Sequence, residues 1–228
     1  MAAQQLQTEG ASVRQVQADL STYDGVEALY GAITSASFSP PAPGRPVAAA
    51  ALNAGVGRGG AFVETDLTDE LTVIALNVTS TVAPRQAAAQ RHGGAQRGQA
   101  AVHLLDRLDH AGLVPGGVQR LKSFVQFFAE AVQNEVKDTE VIITSLMPGP
   151  TDTNFFHGAD MDDTKIGQGP KDDPAQVAKQ GFEALMAGKN ETVGGGLKTK
   201  AQAAASAVLP DALKAAGHRQ MAEPGSGS

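Results

Sequence analysis

Two short, predominantly apolar runs constrain the fold of this chain more than any other feature of its sequence. They occupy residues 47–52 and 141–147, and a turn containing glycine follows each of them closely. A strand covered by helices on both faces has this pattern, whereas a strand with one face in water alternates apolar and polar residues. The two runs therefore predict buried strands of a parallel sheet. A weaker strand is predicted over residues 13–18.

Amphipathic helices are predicted between and after these strands. Apolar residues recur at helical spacing over residues 23–33, 67–78, 123–136 and 174–187. Asp66 and Asp173 are placed to cap two of these helices, and Gly188 is placed to end the last one. The side chains expected to face the core are Leu67, Leu71, Ile74, Ala75, Val78, Phe124, Phe127, Phe128, Ala131, Val132, Val177, Phe182, Leu185 and Met186. Strands alternating with helices indicate an α/β protein with right-handed crossovers.

Composition excludes several classes of protein. The chain has 228 residues, a length that suits one domain, and no cysteine, which excludes disulfides, Cys-ligated zinc and a thiol nucleophile. Its formal net charge of −6 gives no general attraction to nucleic acid or anionic membranes. The longest apolar run, residues 47–52, is far too short to cross a bilayer. We expect a cytoplasmic protein that binds neither nucleic acid nor membrane and has no metal site.

Residues 83–121 differ abruptly in composition from the sequence on either side. Only Ala, Pro, Arg, Gln, His, Gly, Val, Leu and Asp occur there. Each of these residue types has codons that begin with C or G, as expected for GC-rich DNA read out of frame. We hypothesise that this stretch is frame-slipped; the encoding DNA tests this, and codons that forbid a one-base shift would contradict it.

An ordered set of short motifs lies outside that stretch, each near a predicted strand end or in the helix that follows. The residues concerned are Asp19, Leu20, Asn53, Ala54, Gly55, Asn77, Pro148, Gly149 and Thr153. In this order and spacing they resemble the short-chain dehydrogenase/reductase family over residues 2–82 and 122–196. The resemblance implies a Rossmann-like α/β domain over residues 1–196, a doubly wound parallel sheet in three layers that lacks its first β-α unit. A helical and frayed tail over residues 197–228 follows it.

The resemblance also implies a function. Members of the family move hydride between NAD or NADP and a small carbonyl or alcohol, and the helix at 123–136 commonly contributes to homo-oligomers. Asp19 and Leu20 would contact adenine, and Asn77 would hold a water of a proton relay. Residues that would brace or hold the rest of the cofactor are Asn53, Ala54, Gly55, Pro148, Gly149, Thr151 and Thr153.

The chain departs from the family at the residues that handle the proton. The family needs Tyr-x-x-x-Lys, but Tyr23 and Tyr30, the two tyrosines here, are followed four residues later by Glu and Thr. If Lys122 is the family lysine, Val118 stands in the tyrosine position and the serine position falls on Leu104 or Leu105. Two interpretations follow: an NAD(P)-dependent oxidoreductase, or an inactive remnant that serves as a binding or oligomerisation module.

Several of these residues also have plain structural interpretations. Residues 55–60 spell G-x-G-x-x-G after a strand, but no helix opens at Gly60, so the pattern favours a glycine turn over a phosphate loop. Instead of contacting a cofactor, Thr153 and Asp152 could simply cap the start of the next segment. Asn77 is equally an ordinary polar helix residue, and Lys122 a solvated lysine.

Overall fold

The structure is a computed structural model that describes residues 2–34, 49–60, 64–82, 101–104, 116–208, 221 and 223–227. Its elements, in chain order, are α1 (Ala2–Thr8), α2 (Tyr23–Thr34), β1 (Ala49–Leu52), α3 (Leu67–Ile74), a π-helical turn (Ala75–Thr79), β2 (Ala101–Leu104), α4 (Gly116–Glu135), β3 (Ile143–Pro148), α5 (Phe155–Gly158), α6 (Lys165–Gln168), α7 (Pro174–Met186), β4 (Glu191–Gly194) and α8 (Leu197–Val208). Among the residues described, no helix is both long and apolar enough to span a bilayer.

The four strands form one parallel sheet in the order β1-β2-β3-β4. All six residues of β3 are buried, as the continuous apolar run predicted. The α/β prediction is therefore confirmed. The strand predicted over residues 13–18 is wrong: residues 11–19 take no regular secondary structure, and the described sheet has no strand beyond β1 with which they pair.

Helices cover both faces of the sheet. Ile143 of β3 packs in a cluster with Val125 and Ala129 of α4. Leu146, three residues further along β3, faces α7, where a Cβ on Gly181 would come within 2.7 Å of its side chain. Side chains alternate between the two faces of a strand, so α4 and α7 lie on opposite sides and the fold has three layers.

This layering corrects the expected handedness of the crossovers. The α4 crossover joins β2 to β3, and the α7 crossover joins β3 to β4, so both connect neighbouring parallel strands in the same direction across the sheet. Because the two helices lie on opposite faces, the two crossovers have opposite hands. Right-handed winding throughout was therefore a wrong prediction.

Local signals placed the helix ends correctly. The Asp66 carboxylate accepts a hydrogen bond from Thr68 N, and that of Asp173 accepts one from Ala175 N. Gly188 follows α7 with φ +67°, a left-handed conformation that glycine adopts without strain. The hydrogen bond from Thr68 also lowers the pKa of Asp66 below its usual value.

Several large apolar side chains predicted to be in the core are exposed instead. These are Leu67, Leu71, Ile74, Phe124, Phe127, Phe182 and Met186; Ala131 is exposed as well. The sheet-facing positions of α4 are Val125, Ala129 and Val132, beginning one residue after Phe124. Val125, Ala129 and Val132 therefore occupy the side of α4 that faces the sheet, and Phe124 and Phe127 are left exposed.

Residues near the C-terminus contact the body of the protein, although the sequence predicted a frayed end. Gly225 N donates to the Asp163 carboxylate, and Gly227 N donates to the Asp163 carbonyl. The Ser226 hydroxyl accepts from Lys165 N at the start of α6. Residues 223–227 are therefore held against the loop before α6. The domain boundary at residue 196 stays a prediction.

Candidate functional site at the carboxyl ends of the strands

The turn after β1 (residues 53–60, the post-β1 turn) is tied to the helix that follows it. The Asn77 side chain accepts a hydrogen bond from Val56 N (2.9 Å) and donates one to Val56 O (2.8 Å). Gly55 permits this approach, since a Cβ there would lie 3.1 Å from the Asn77 oxygen. One side chain therefore satisfies both backbone groups of Val56, and it fixes residues 53–56 at the end of the central sheet.

Asn77 lies in the π-helical turn, where the helix is locally widened. Thr81 donates its hydroxyl to the Asn77 carbonyl (3.0 Å), and Ser80 donates to the carbonyl of Leu76. The helix therefore departs from α-helical geometry at Asn77. The side-chain amide bonds to Val56, and the water-holding role of Asn77 stays a prediction.

The G-x-G-x-x-G sequence in the post-β1 turn packs against protein. A Cβ on Gly57 would lie 2.7 Å from the Phe155 ring, and Gly59 N donates to Ala159 O at 2.6 Å. Gly60 adopts φ +103°, and the next described helix, α3, begins at Leu67. The turn thus serves close packing, and its geometry does not fit the pyrophosphate of a dinucleotide.

Arg58 fastens the same turn at the surface. Its guanidinium forms ion pairs with Asp69 of α3 (3.2 Å) and with Asp160 (2.8 Å). Asp160 has φ +55° and follows α5, so Arg58 links α3 to the segment after α5. Nearby, a hydrogen bond and the charge of Asp162 raise the pKa of the exposed His157 imidazole. Among the described residues, no group of three or more His, Asp or Glu side chains is arranged to hold a metal ion.

The segment after β3 (residues 148–153, the post-β3 segment) lies at the same edge of the sheet. Gly149 N donates to Gly194 O of β4 (3.1 Å), and the Thr151 hydroxyl donates to Gly149 O (2.8 Å). The half-buried Thr153 hydroxyl accepts from Phe155 N at 3.4 Å. Through this contact Thr153 caps the start of α5, which is the structural role that the sequence also allowed. The bond leaves the O–H of Thr153 able to donate a hydrogen bond, which is the chemistry that the carboxamide oxygen of a nicotinamide accepts; the contact with a nicotinamide itself stays a prediction.

Asp19 and Leu20 precede α2. The Asp19 carboxylate accepts from the Ser21 hydroxyl (2.6 Å) and from Ser21 N (3.0 Å), and these bonds lower its pKa below the usual value. The Asp19 carbonyl accepts from Thr22 (2.9 Å). Leu20 is half-buried. Asp19 therefore shapes the turn that opens α2, and adenine contact by both residues stays a prediction.

The positions at which the resemblance places the family's proton-handling residues are Val118 and Lys122 and, for the serine, Leu104 or Leu105. Val118 and Lys122 both fall within α4, four residues apart in the sequence. Leu104 ends β2, and Leu105 lies outside the described residues. The chain's two tyrosines, Tyr23 and Tyr30, belong to α2 instead.

Two polar residues at this edge of the sheet, Asp172 and Gln180, were not predicted from the sequence. Asp172 accepts hydrogen bonds from Gly196 N (2.9 Å) and the Thr199 hydroxyl (2.5 Å). Gln180 of α7 bonds to both backbone groups of Gly195. Asp172 directly precedes Asp173, and Asp173 alone explained the helix-capping pattern at this position. The available signal was the Gly-Gly-Gly sequence at 194–196, which indicates that a neighbour approaches the backbone closely.

Comparison with known proteins supports the fold. No protein-family model and no curated protein matches the sequence. The chain is similar in structure to a 7β-hydroxysteroid dehydrogenase, with a TM-score of 0.74 and 19% identity over 95% of this chain and 80% of that one. It also matches a short-chain dehydrogenase/reductase from Burkholderia phymatum in complex with NAD, with a TM-score of 0.71 and 20% identity over 93% of this chain and 80% of that one.

A third similar structure is a short-chain dehydrogenase from Sphingobium yanoikuyae in complex with NADPH. Its TM-score is 0.69, with 19% identity over 84% of this chain and 71% of that one. The structural neighbours are consistently short-chain dehydrogenases/reductases. The chain therefore has the Rossmann-like fold of that family, as the motifs predicted.

Proposed function

We propose that this chain is a short-chain dehydrogenase/reductase-type oxidoreductase that transfers hydride between NAD or NADP and a small carbonyl or alcohol. The observation that carries the proposal is the post-β3 segment, where Gly149 and Thr153 lie beyond the carboxyl end of a central parallel strand. Ligands of open α/β sheets bind at that edge. The similar structures with bound NAD and NADPH support the choice of cofactor.

The cofactor, when bound, supplies or accepts the hydride. The chain's own residues position it: Pro148, Gly149, Thr151 and Thr153 would lie along the nicotinamide, and the Thr153 hydroxyl would donate to its carboxamide. Asp19 and Leu20 would contact adenine. Asn53, Ala54 and Gly55 would brace the sheet beside the cofactor, held in place by the bonds between Asn77 and Val56.

The second candidate function is that of a catalytically inactive relative that binds a dinucleotide or associates with other chains. The specific observation in its favour is Val118, which stands one helical turn before Lys122 in α4. Valine donates no proton, and transferring hydride to a carbonyl requires a proton for the oxygen. The packed G-x-G-x-x-G turn favours the form of this candidate that associates with other chains, because the turn offers no cradle for a pyrophosphate.

Binding and turnover separate the two candidates. NADH and NADPH are titrated into the protein by following nicotinamide fluorescence, and the oxidation of each is then measured against a panel of aldehydes and ketones. Turnover above background supports the oxidoreductase, and binding without turnover supports the inactive relative. If neither NADH nor NADPH binds, the proposed function fails.

A substitution sharpens the assay. Val118→Tyr puts a phenol four residues before Lys122, and Val118→Phe is its matched control without the hydroxyl. If a missing proton donor limits the chain, Val118→Tyr raises turnover while Val118→Phe leaves it unchanged. Equal turnover in both variants would show that the defect lies elsewhere.

The outer surface of α3 and α4 supports a homo-oligomer. Leu67 and Leu71 on α3 and Phe124 and Phe127 on α4 are exposed, and the two helices are in contact. Apolar surface of this kind is typical of association sites. We expect Phe127→Glu to lower the molar mass measured by light scattering, whereas Phe182→Glu, an equally apolar exposed position on α7, leaves it unchanged.

A further inference from the structure

Asp172 connects two separate segments of the chain at the carboxyl edge of the sheet. Its own N–H donates to Pro150 O (2.6 Å), and its carbonyl accepts from Asp152 N (3.0 Å). Its carboxylate accepts from Gly196 N and from the Thr199 hydroxyl. One residue therefore bonds to the post-β3 segment through its backbone and to the start of α8 through its side chain.

Glycines surround this carboxylate. A Cβ on Gly149 would lie 3.0 Å from one carboxylate oxygen, and a Cβ on Gly196 would lie 3.3 Å from the other. Gly195, with φ +134°, would clash with the same carboxylate if it carried a Cβ. The turn between β4 and α8 (residues 194–196, the β4–α8 turn) is thus shaped to receive the Asp172 side chain.

The carboxylate also complements the helix that it meets. The first N–H groups of an α-helix lack intrahelical partners and carry a partial positive charge. Asp172 places a negative charge there from a distant part of the chain. This bond fixes the position of Asp172, and therefore of the backbone bonds that it makes to Pro150 and Asp152.

We propose that Asp172 is a positioning residue that holds the post-β3 segment in the conformation that receives the nicotinamide. This inference rests on the proposed function, since it assigns the geometry of that same site. Asp172 acts through the backbone of residues 150–152 and does not touch the reacting atoms.

Hydrogen exchange and ligand binding test the proposal together. In Asp172→Ala, Gly196 N loses its carboxylate acceptor, and the Asp172 carbonyl that accepts from Asp152 N is no longer anchored to α8. We therefore expect both amides to exchange about ten-fold faster. The affinity for NADH should fall about ten-fold. The affinity for ADP-ribose, which lacks the nicotinamide, should stay unchanged, whereas a general loss of stability would weaken both ligands.

Two further variants keep the test decisive if Asp172→Ala folds poorly. Asp172→Asn still accepts from Gly196 N and still bonds to Thr199 but loses the charge, so its exchange and NADH affinity should lie between those of the wild type and Asp172→Ala. Asp173→Ala is the matched control, because that carboxylate caps α7 and bonds to Ala175 N. It should leave exchange at Asp152 and Gly196 unchanged.

Specific outcomes overturn the proposal. Wild-type exchange at Asp152 in Asp172→Ala would do so, as would equal losses of NADH and ADP-ribose affinity. An Asp172→Asn variant as loose as Asp172→Ala would also contradict the hydrogen-bonding role. If the wild type binds neither NADH nor ADP-ribose, the proposed function fails, and the exchange measurements still decide whether Asp172 holds the segment.

Discussion

Two glycine-rich turns follow parallel strands at the same edge of the sheet, and they differ in what their glycines accommodate. The post-β1 turn spells G-x-G-x-x-G, and its glycines let it pack closely against residues 155–161. The β4–α8 turn spells no such motif, yet it leads from a strand straight into a helix, and its glycines make room for the Asp172 carboxylate.

The comparison shows that sequence letters alone do not identify a phosphate-binding turn. A phosphate loop needs backbone N–H groups directed at the ligand. The N–H of Gly59 donates to Ala159 O, that of Gly195 to the Gln180 side chain, and that of Gly196 to Asp172. In both turns the glycines therefore serve contacts within the protein.

The β4–α8 turn gives the largest expected effect. Gly195→Ala places a side chain at φ +134° and against the Asp172 carboxylate, so we expect it to lower the free energy of unfolding by about 3 kcal/mol. Urea denaturation measures this. The matched control is Gly188→Ala, which has φ +67° with open space around it and should cost about 1 kcal/mol. Equal losses in the two variants would show that the positive φ angle alone sets the cost at Gly195, and that contact with the Asp172 carboxylate adds nothing.

The post-β1 turn gives the next largest effect. Gly57→Ala would press a methyl group on the Phe155 ring, and we expect a loss of about 2 kcal/mol in the free energy of unfolding. Gly158→Ala is the control, since open space surrounds that position, and it should be close to neutral. Adding Phe155→Leu to Gly57→Ala should recover part of the loss. A Gly57→Ala protein of wild-type stability that had lost dinucleotide binding would instead favour a phosphate loop.

The sequence predicted these regions to different degrees for a physical reason. Asp66, Asp173 and Gly188 act through bonds and dihedral angles within a few residues, so their patterns placed the helix ends correctly. Phe124 was assigned to the core because period alone does not fix which stripe of a helix meets the sheet. Asp172 and Gln180 were missed because their partners lie 15 or more residues away along the chain.

In the candidate site, as in the fold, contacts between neighbours in the sequence were predictable and contacts between distant residues were not. The strand-end positions of Gly149 and Thr153 followed from the motif and the buried strand. The bonds from Asn77 to Val56 join residues 21 positions apart, so only the fold shows that the side-chain amide contacts the post-β1 turn. The unusual composition of residues 83–121 did not prevent 101–104 from forming the strand between β1 and β3. The frame-slip hypothesis stays a prediction.

Asn77 tests whether the post-β1 turn depends on a polar anchor. Asn77→Ala removes both hydrogen bonds to Val56, and we expect a loss of about 1–2 kcal/mol in the free energy of unfolding. Thermal and urea unfolding measure it. Asn134→Ala, an exposed asparagine of α4, is the control and should be neutral or slightly stabilising because alanine favours helix. Equal stability of the two variants would mean that glycine packing alone holds the turn.

Arg58 gives the smallest expected effect on this comparison. Arg58→Gln removes the ion pairs to Asp69 and Asp160, whose side chains are 45% and 71% exposed, so solvent screens the attraction and the loss should stay below about 1 kcal/mol. The loss should shrink further in 1 M salt, where the Debye length is about 3 Å. Lys179→Gln, which breaks an exposed pair with Glu183 on α7, is the control for an ordinary surface ion pair. A loss for Arg58→Gln that persists in high salt would show that Arg58 stabilises the post-β1 turn through packing or hydrogen bonds as well as through charge. Part of the stability assigned to the glycines of the turn would then belong to Arg58.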